Sequence, residues 1–397
     1  MKPLSFMIVA GEASGDLLAA ELVAALRDEL AKMHARYTPE AQPIETSLAP
    51  RFFGAGGPKM RAAGVDTAFD LTEHAAIGLD AARKYSQLWR YLRQLARLAI
   101  DQKPDGIICV DYSGFNLRLA SAIRRYTRKR RGPFHNWHPR IVQYVSPQVW
   151  ASRPGRARRV ERDVDLLLSI FPFEKDWYAL HAPRLKVEYV GHPVVDRYAA
   201  FNVSPEQPAE TPMVALLPGS RAGELRRHLP ILRDAAHEIA RSRSLEFHMV
   251  LPTAALAEIA RGFDWPDRTH IHIGGLPEVL PRMTIALAST GTVTMECAYF
   301  RVPTVAFYKT SWLTYEIGKR IVTVGYLAMP NVLAGHEVFP EFVQHNATGQ
   351  NLARAALDLI ENDSRRAKIC EKLQKIIASL GPPGGARRAA RSITRLL

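Results

Sequence analysis

The residues best suited to bind a phosphate group follow a short apolar run in the second half of the chain. The run V-A-L-L (214–217) predicts a strand, P-G-S (218–220) a tight turn, and the following residues a helix. The first N–H groups of such a helix are unpaired, and they and the positive end of the helix dipole both attract anions. Arg221 adds a forked cation and Ser220 a hydroxyl. An ordinary strand-to-helix turn, with Ser220 as N-cap and Arg221 at the surface, has the same pattern.

Two carboxylates follow predicted strands in the first half. Asp111 comes directly after the apolar run 106–110, and Glu12 comes one residue after the apolar run 6–10. Open α/β sheets bind ligands at the carboxyl ends of their strands, so Asp111 is a candidate general base and Glu12 a candidate acceptor for substrate hydroxyls. Asp111 could equally cap a helix, and Glu12 could be a solvated loop residue.

A second strand-to-helix turn in the latter half is rich in hydroxyl groups. It spans residues 289–294, and Glu296 lies in the first turns of the helix that follows. Glu296 could accept the two ribose hydroxyls of a nucleotide, or it could cap the helix. Asn331 could bind the base or the phosphate through its amide. A cationic turn at Arg221 and an acidic one at Glu296 suit the phosphates and the sugar of one nucleotide.

Length and composition indicate a globular protein of about two domains. The chain has 397 residues, of which 47% are hydrophobic and 23% charged. No apolar run reaches the roughly 18 residues that a membrane span needs, and the apolar start is interrupted too early for a signal peptide. The three cysteines are scattered without metal-ligand spacing, which is typical of a reduced cytosolic protein. The D-x-D at 163–165 runs into an apolar strand, so we do not interpret it as a metal site.

Strand and helix patterns alternate in both halves. In the second half the sequence predicts strands at 214–217, 246–251, 269–273 and 284–288, separated by helices. The proline-rich stretch 201–212 is the predicted linker, and residues 352–377 have a helical pattern. Three glycines in R-F-F-G-A-G-G-P-K-M (51–60) suggest either a turn or a backbone that approaches another group closely.

Most of the positive charge lies in one segment. The net charge is +14, and residues 118–162 hold thirteen Lys or Arg but a single acidic residue, Glu161. Nucleic acid, an anionic membrane surface and an anionic substrate are the three kinds of partner that such a segment suits. Part of it also fits a solvated helix end and loop.

Nine motifs, in order along the chain, resemble the lipid-A-disaccharide synthases of Gram-negative envelope synthesis. They are G-E-A-S-G-D (11–16), F-G-A-G-G-P-K-M (53–60), D-Y-S-G-F-N (111–116), Y-V-S-P-Q-V-W-A-S-R (144–153), F-P-F-E-K (171–175), Y-V-G-H-P (189–193), L-L-P-G-S-R-x-x-E (216–224), S-T-G-T-V-T-M-E-C (289–297) and L-A-M-P-N-V-L-A-G (327–335). Together they are far more specific than any one of them.

This resemblance implies the GT-B fold, an α/β architecture of two Rossmann-like domains facing a cleft. The expected domains are 1–200 for the acceptor and catalytic base and 201–365 for the UDP-sugar, with a helical tail at 366–397 that packs back on the first domain or on a partner subunit. The implied reaction moves 2,3-diacylglucosamine from its UDP ester to 2,3-diacylglucosamine 1-phosphate (lipid X). It forms a β-1,6 disaccharide with inversion and releases UDP.

The resemblance also implies roles for individual residues. Asp111 resembles the base that acts on the acceptor 6-hydroxyl, and Glu12 the acidic loop residue at the domain cleft. The implied UDP contacts are Ser220, Arg221, Thr292, Glu296 and Asn331. The implied contacts on the acceptor and lipid side are Ser14, Asn116, Ser146, Gln148, Trp150 and Arg153. No metal or other cofactor is expected.

Some positions depart from the family pattern. Ser113 and Ser152 replace a proline and a tryptophan, and residues 38–50 and 128–138 look like insertions. These departures bear on acyl-chain preference and membrane contact more than on the reaction. The expected location is the cytoplasmic face of the inner membrane, peripherally bound to its anionic surface. A monomer and a homodimer both remain open.

Two other functions compete with this one. Another GT-B enzyme acting on UDP-N-acetylglucosamine, either an epimerase or a transferase with a soluble acceptor, would use a similar nucleotide site. A nucleic-acid-binding protein would use residues 118–162, but no nucleic-acid motif accompanies that basic segment. We therefore expect no nucleic-acid partner.

Overall fold

The computed structural model describes residues 3–37, 49–72, 81–130, 132, 134–201 and 211–397. The predicted insertions at 38–50 and 128–138 and the predicted linker at 201–212 lie partly outside the described residues. The chain divides into two compact units, the first comprising Met1–Pro193 and Pro383–Leu397 and the second Val194–Pro382. The end of the chain is thus divided between the units, whereas the sequence suggested one tail from residue 366.

The first unit is built around a seven-stranded sheet. Its strands are β1 (Ser5–Ala10), β2 (Arg51–Ala55), β3 (Asp66–Thr67), β4 (Gly106–Val110), β5 (Arg140–Tyr144), β6 (Leu166–Ser169) and β7 (Lys186–Tyr189). Their order is β3-β2-β1-β4-β5-β6-β7, and every pair is parallel. β1 and β4 are buried along their whole length, because apolar side chains on both faces are covered by helices.

Helices alternate with these strands. The α-helices of this unit are Ala13–Tyr37, Pro58–Ala62, Ala81–Gln102, Ser113–Lys129, Val149–Ser152, Ala157–Asp163, Pro172–His181 and Gly385–Thr394, and Pro154–Arg156 is a 3-10 helix. The last α-helix returns to the first one, where Arg391 pairs with Glu29 at 3.3 Å. Arg388 also donates to the carbonyl of Val190 at 2.8 Å. These bonds tie the chain end to the first unit.

The second unit has a six-stranded parallel sheet. Its strands are β8 (Met213–Leu217), β9 (Glu246–Leu251), β10 (Thr269–Ile273), β11 (Ile285–Ser289), β12 (Thr304–Tyr308) and β13 (Glu341–Val343). Their order is β10-β9-β8-β11-β12-β13. The strand order reverses between β8 and β11, as it does between β1 and β4 in the first unit. Ligands bind at such points in doubly wound sheets.

The helices of the second unit cover its sheet. They are Pro193–Tyr198, Ala222–Ser242, Ala254–Arg261, Leu276–Val279, Thr292–Tyr299, Trp312–Ile321, Met329–Ala334, Gly349–Glu361 and Asp363–Ser379, with a 3-10 helix at Leu280–Arg282. Among the helices in the described parts of both units, none is long and apolar enough to cross a membrane.

Candidate active site

The turn after β4 holds Asp111 in an unusual conformation. Asp111 and Tyr112 both have positive φ angles, 48° and 42°, and the helix Ser113–Lys129 begins immediately afterwards. Residues other than glycine in this left-handed region cost about 1–3 kcal/mol each and persist only where their surroundings hold them. The backbone N–H of Asp111 donates to the carbonyl of Tyr144 at 2.8 Å, which fixes the turn to the end of β5. The half-buried carboxyl group therefore sits at the carboxyl edge of the sheet.

Two buried amides hold this turn from beneath. Asn116 donates to the carbonyls of Val110 at 3.2 Å and Asp111 at 2.8 Å, and Gln143 donates to that of Asp111 at 3.2 Å. Asn116 is fully buried. Its amide nitrogen therefore positions Asp111, while its Oδ1 makes no hydrogen bond within the described residues. The predicted contact of Asn116 with the acceptor stays a prediction.

The loop after β1 lies against the same turn. A Cβ atom at Gly11 would fall 2.2 Å from Cδ1 of Tyr112, so only glycine leaves room for the tyrosine ring. A Cβ atom at Gly15 would lie 3.5 Å from Cβ of Asp111. The structure thus brings Glu12 and the first turn of the helix Ala13–Tyr37, which contains Ser14, to the strand edge that carries Asp111; both side chains are half-buried.

The last residue of that loop motif has a structural role that the sequence did not reveal. Asp16 is 2% exposed and accepts hydrogen bonds from the backbone N–H groups of Gly57, Lys59 and Met60 at 2.7, 2.9 and 3.1 Å. A Cβ atom at Gly57 would lie 2.7 Å from a carboxylate oxygen of Asp16. At Gly57 the close approach is therefore to this carboxylate, whereas a Cβ atom at Gly54 would lie 2.0 Å from the carbonyl oxygen of Ile8.

Two predicted acceptor contacts, Ser146 and Trp150, converge on a buried glutamate. The Ser146 hydroxyl donates to Oε1 of Glu174 at 2.5 Å, and Nε1 of Trp150 donates to the same oxygen at 3.0 Å. All three residues are buried, whereas the other predicted residues of the segment, Gln148 and Arg153, are exposed. Burial raises the pKa of Glu174 to about 7, although these donors favour its ionised form. Glu174 lies in the F-P-F-E-K motif, but nothing in the sequence pairs it with Ser146.

Three arginines near this segment act electrostatically on a fourth, Arg156. The pKa of Arg156 is lowered first by partial burial and then by the positive charges of Arg153, Arg118 and Arg159. Arg118 also donates to the carbonyl of Gly114 at 2.6 Å, which places it beside the start of the helix that follows Asp111. We call Arg118, Arg153, Arg156 and Arg159 the arginine cluster.

Other arginines of the basic segment are paired with the D-x-D carboxylates. Arg162 contacts Asp163 at 2.7 Å, and Arg124 forms an ion pair with Asp165. Asp163 also accepts a hydrogen bond from Ser121 at 2.5 Å. Part of the basic segment is therefore structural, and both carboxylates of the D-x-D are used within the protein.

In the second unit, the turn after β8 contains Gly219 with a φ angle of 118°. A Cβ atom there would lie 3.0 Å from Oε2 of Glu224 and 3.3 Å from Oγ of Ser289, so the turns after β8 and β11 meet at this point. The helix begins at Ala222, and Arg221 is its N-cap. Ser220 is therefore not the N-cap, as it would be in the ordinary strand-to-helix turn that the sequence also allowed. Ser220 is exposed, and half of the Arg221 side chain is exposed beside Glu224 at 3.3 Å.

Sequence reasoning missed the histidine that holds this turn. His228 is fully buried, and its Nδ1 lies 2.7 Å from the carbonyl oxygen of Pro218. Its Nε2 lies 3.0 Å from the carbonyl oxygen of Lys309, just after β12. The ring therefore ties the glycine turn to a neighbouring strand end.

The turn after β11 presents Thr292 at the surface, while Glu296 is partly buried on the helix Thr292–Tyr299. Oε1 of Glu296 accepts a hydrogen bond from the Tyr198 hydroxyl at 2.8 Å and contacts Arg197 at 3.3 Å. Burial, followed by the charge of Glu296, raises the pKa of Tyr198. The tyrosine thus stays a neutral donor to the residue predicted to bind ribose.

Asn331 is placed differently from the prediction. It is fully buried, its amide donates to Phe339 and Glu341, and its oxygen accepts the backbone N–H groups of Val338 and Phe339, at 2.8–3.2 Å. These bonds use both donors and both acceptor positions of the side chain. We therefore correct the predicted nucleotide contact: the Asn331 side chain fixes the segment before β13.

Comparison with known proteins agrees with this arrangement of motifs. The family model of lipid-A-disaccharide synthetase matches residues 6–390. The lipid-A-disaccharide synthase of Myxococcus xanthus is 35% identical over 405 aligned positions, which cover 100% of this chain and 98% of that protein.

The chain belongs to the lipid-A-disaccharide synthase family.

Solved structures show how widely this fold is shared. The Staphylococcus aureus MnaA protein solved with UDP has a TM-score of 0.61 and 14% identity, and covers 99% of this chain and 96% of its own. The glycotransferase of kitacinnamycin has a TM-score of 0.59 and 17% identity, with 100% of both chains covered. The predicted GT-B class, with two parallel-sheet α/β domains, is confirmed for this member of the lipid-A-disaccharide synthase family.

Proposed function

We propose that this protein transfers 2,3-diacylglucosamine from its UDP ester to 2,3-diacylglucosamine 1-phosphate, giving the β-1,6 disaccharide 1-phosphate and UDP. The observation that carries the proposal is the strained turn at Asp111, held by Asn116 and Gln143. A chain that only bound nucleotide would not need to fix a carboxylate at this cost. Membership of the lipid-A-disaccharide synthase family supports the same reaction.

Asp111 is the general base in this proposal. Its carboxylate accepts the proton of the acceptor 6-hydroxyl as that oxygen attacks C1 of the donor sugar, and the C1–O bond to the diphosphate breaks with inversion. General bases placed in this way contribute about 10²–10⁴ in rate. In the same proposal Glu12, on the neighbouring loop, accepts hydrogen bonds from sugar hydroxyls.

Arg221 and the first N–H groups of the helix Ala222–Ser242 stabilise the departing UDP. Negative charge grows on the diphosphate as the bond to C1 breaks, and fixed positive groups stabilise that charge most in the transition state. We propose that these groups replace the divalent cation that many sugar transferases use. Catalysis should accordingly need no metal.

The arginine cluster gives the acceptor phosphate a suitable partner. Arg118 lies beside the helix start that follows Asp111, so an anion at the cluster would leave the rest of the acceptor near the proposed base. Arg153 and Arg156 are exposed, and within the described part of the chain neither has a carboxylate partner such as Asp163 provides for Arg162. We propose that the cluster also favours an anionic membrane surface, which places the protein peripherally on the cytoplasmic face of the inner membrane.

The decisive experiment supplies the purified chain with UDP-2,3-diacylglucosamine and 2,3-diacylglucosamine 1-phosphate. We expect mass spectrometry to detect the disaccharide 1-phosphate at the same rate with and without EDTA. A rate that fell to background in EDTA would refute metal independence. Conversion of UDP-N-acetylglucosamine without the lipid acceptor, and no disaccharide, would instead support the alternative GT-B enzyme.

Vesicle binding tests the membrane part separately. We expect the protein to sediment with vesicles that contain anionic phospholipid, to remain in solution with vesicles of neutral phospholipid, and to be released by high salt because exposed charges are screened. Equal binding to both vesicle types would contradict a role for the basic segment.

A further inference from the structure

Three histidines and a glutamate lie together on two neighbouring strands of the second unit. Glu246 and His248 are on β9, His270 and His272 are on β10, and His270 is paired with His248 in the parallel register. Side chains two residues apart on a strand share a face, so all four belong to one face of the sheet. We call these four residues the histidine cluster.

Three members of the histidine cluster are close enough to share one ion. A ligand atom from each of Glu246, His248 and His270 lies within 4.8 Å of those of the other two. Zn²⁺ binds nitrogen and oxygen ligands at about 2.0–2.2 Å, so two ligand atoms on one ion lie at most about 4 Å apart. Small side-chain rotations would therefore close the site.

The buried member of the cluster has one nitrogen in need of a partner. His248 is 8% exposed, and among the described residues its Nε2 makes no hydrogen bond. The nearest carboxylate oxygen, Oε2 of Glu246, is 3.7 Å away, too far for a hydrogen bond. A buried polar atom without a partner is costly, so this nitrogen indicates a ligand between the three side chains.

The other nitrogen of His248 is already held. Nδ1 of His248 lies 3.0 Å from Nε2 of His272, which is hydrogen-bond distance. When Nδ1 of His248 carries the proton and donates this bond, the lone pair on Nε2 of His248 is free to bind a metal ion. Metal-binding histidines usually have such a bond on the second nitrogen, which fixes the tautomer and the ring orientation. His272 is thus placed as the positioning residue of the site.

We propose that Glu246, His248 and His270 bind one divalent transition-metal ion, with Zn²⁺ as the best match to two imidazoles and one carboxylate. Imidazole ligands favour Zn²⁺ over Mg²⁺ and Ca²⁺, which prefer oxygen. Oε1 of Glu246 is taken by Arg268 at 2.6 Å, so the glutamate would bind the ion through Oε2 alone.

The position of the site makes its role structural. Glu246 pairs with Met213, the first residue of β8, whereas the turn with Gly219 follows the last residue of β8. The histidine cluster therefore lies toward the opposite end of the strands from that turn. The ion would join β9 to β10, the outermost strand in the order of the described sheet. A ligand that binds the folded state and not the unfolded chain stabilises the protein, so the ion should strengthen this edge. The proposal does not depend on the proposed catalytic reaction.

The test measures zinc binding by the full, untagged chain after treatment with EDTA and dialysis. We expect calorimetry to show one equivalent of Zn²⁺ and scanning fluorimetry to show a higher melting temperature with the ion. His270→Ala should abolish the binding and the shift, because it removes an exposed ligand without opening the core. His272→Ala should weaken binding about 10–100-fold, as loss of a supporting residue does.

His336→Ala is the matched control, since His336 is an exposed histidine outside the cluster. That variant should bind Zn²⁺ as the unchanged protein does. Equal zinc affinity in the His270→Ala protein would overturn the proposal, as would the absence of a bound equivalent in the unchanged protein. Circular dichroism of the zinc-free variants separates loss of a ligand from loss of the fold.

Discussion

In the first unit the turn after β4 puts Asp111 and Tyr112 in the left-handed region, whereas in the second unit the turn after β8 puts Gly219 there. Glycine adopts this conformation without steric cost, and the other two residues do not. The first turn is held by the amides of Asn116 and Gln143, and the second by the ring of His228.

This difference matches the two kinds of chemistry. A general base must be a side chain, so its position in the turn cannot be glycine, and the surrounding amides must hold the strained backbone. An anion site is made of backbone N–H groups, so glycine serves it better because a ligand can approach closely. The first four of the five predictions below test this contrast.

The largest effect should follow from Asp111→Asn. The change keeps the size of the side chain but removes the base, so we expect the rate of transfer to fall about 10²–10⁴-fold. UDP affinity, measured by calorimetry, should stay the same because the nucleotide turn belongs to the other unit. Turnover near the unchanged rate would show that Asp111 is not the base.

Arg221→Ala should lower the affinity for UDP, which Asp111→Asn leaves unchanged. We expect UDP to bind about 10–100-fold more weakly in calorimetry, the cost of losing a hydrogen bond to a charged group. Thermal stability should change little, because the ion pair with Glu224 is partly exposed to solvent. Arg226→Ala, which removes an exposed arginine farther along the same helix, is the control and should bind UDP normally.

Asn116→Ala removes the main support of the strained turn. We expect the rate to fall by about tenfold, because the Asp111 carboxylate loses its fixed position, with UDP affinity unchanged. Urea unfolding should also show a loss of about 1–3 kcal/mol, since buried carbonyl groups lose their donor. A loss of stability with no loss of rate would mean that Asn116 does not position Asp111.

Gly219→Ala tests whether the second turn needs glycine. The new Cβ atom would press on Glu224 and Ser289 and would be strained at a φ angle of 118°, so we expect UDP affinity to fall several-fold. Gly274→Ala is a matched control, because Gly274 also has a positive φ angle but, apart from its chain neighbours, no described residue has an atom within 4 Å of its Cβ position. That control should lose stability only.

The smallest effect on the reaction should come from Glu174, which acts on stability through pH. Its pKa rises from an ordinary value of 4.5 to about 7 in the folded protein, so the folded protein keeps a proton that the unfolded chain releases. The free energy of unfolding should fall as pH rises between these values, by up to about 1.4 kcal/mol per pH unit from this group, and then level off. Glu174→Gln should flatten that slope in urea titrations, whereas Glu361→Gln, at an exposed site, should preserve it.

The sequence predicted the elements well where periodicity is strong. The predicted strands 246–251 and 269–273 match β9 and β10, and the apolar run 106–110 matches β4. Apolar runs of this length between turn residues have few other ways to be buried. The fold class and the two turns at the strand-order reversals therefore followed from local pattern and motif order.

Contacts between distant residues were beyond the sequence. Glu174 meets Ser146 and Trp150, Asp16 caps the helix Pro58–Ala62, and His228 reaches Lys309. Each contact depends on which strands become neighbours in the sheet. The order of the strands cannot be read from a short stretch of a single sequence.

The sequence by itself determined which residue types stand after each strand, and with them the kind of chemistry available at each turn. Only the tertiary structure decided which polar side chains face outward and which are used inside the protein, as Asn331 is. The physical reason is that a buried amide must satisfy its own hydrogen bonds, and its partners come from strand ends that folding alone brings together.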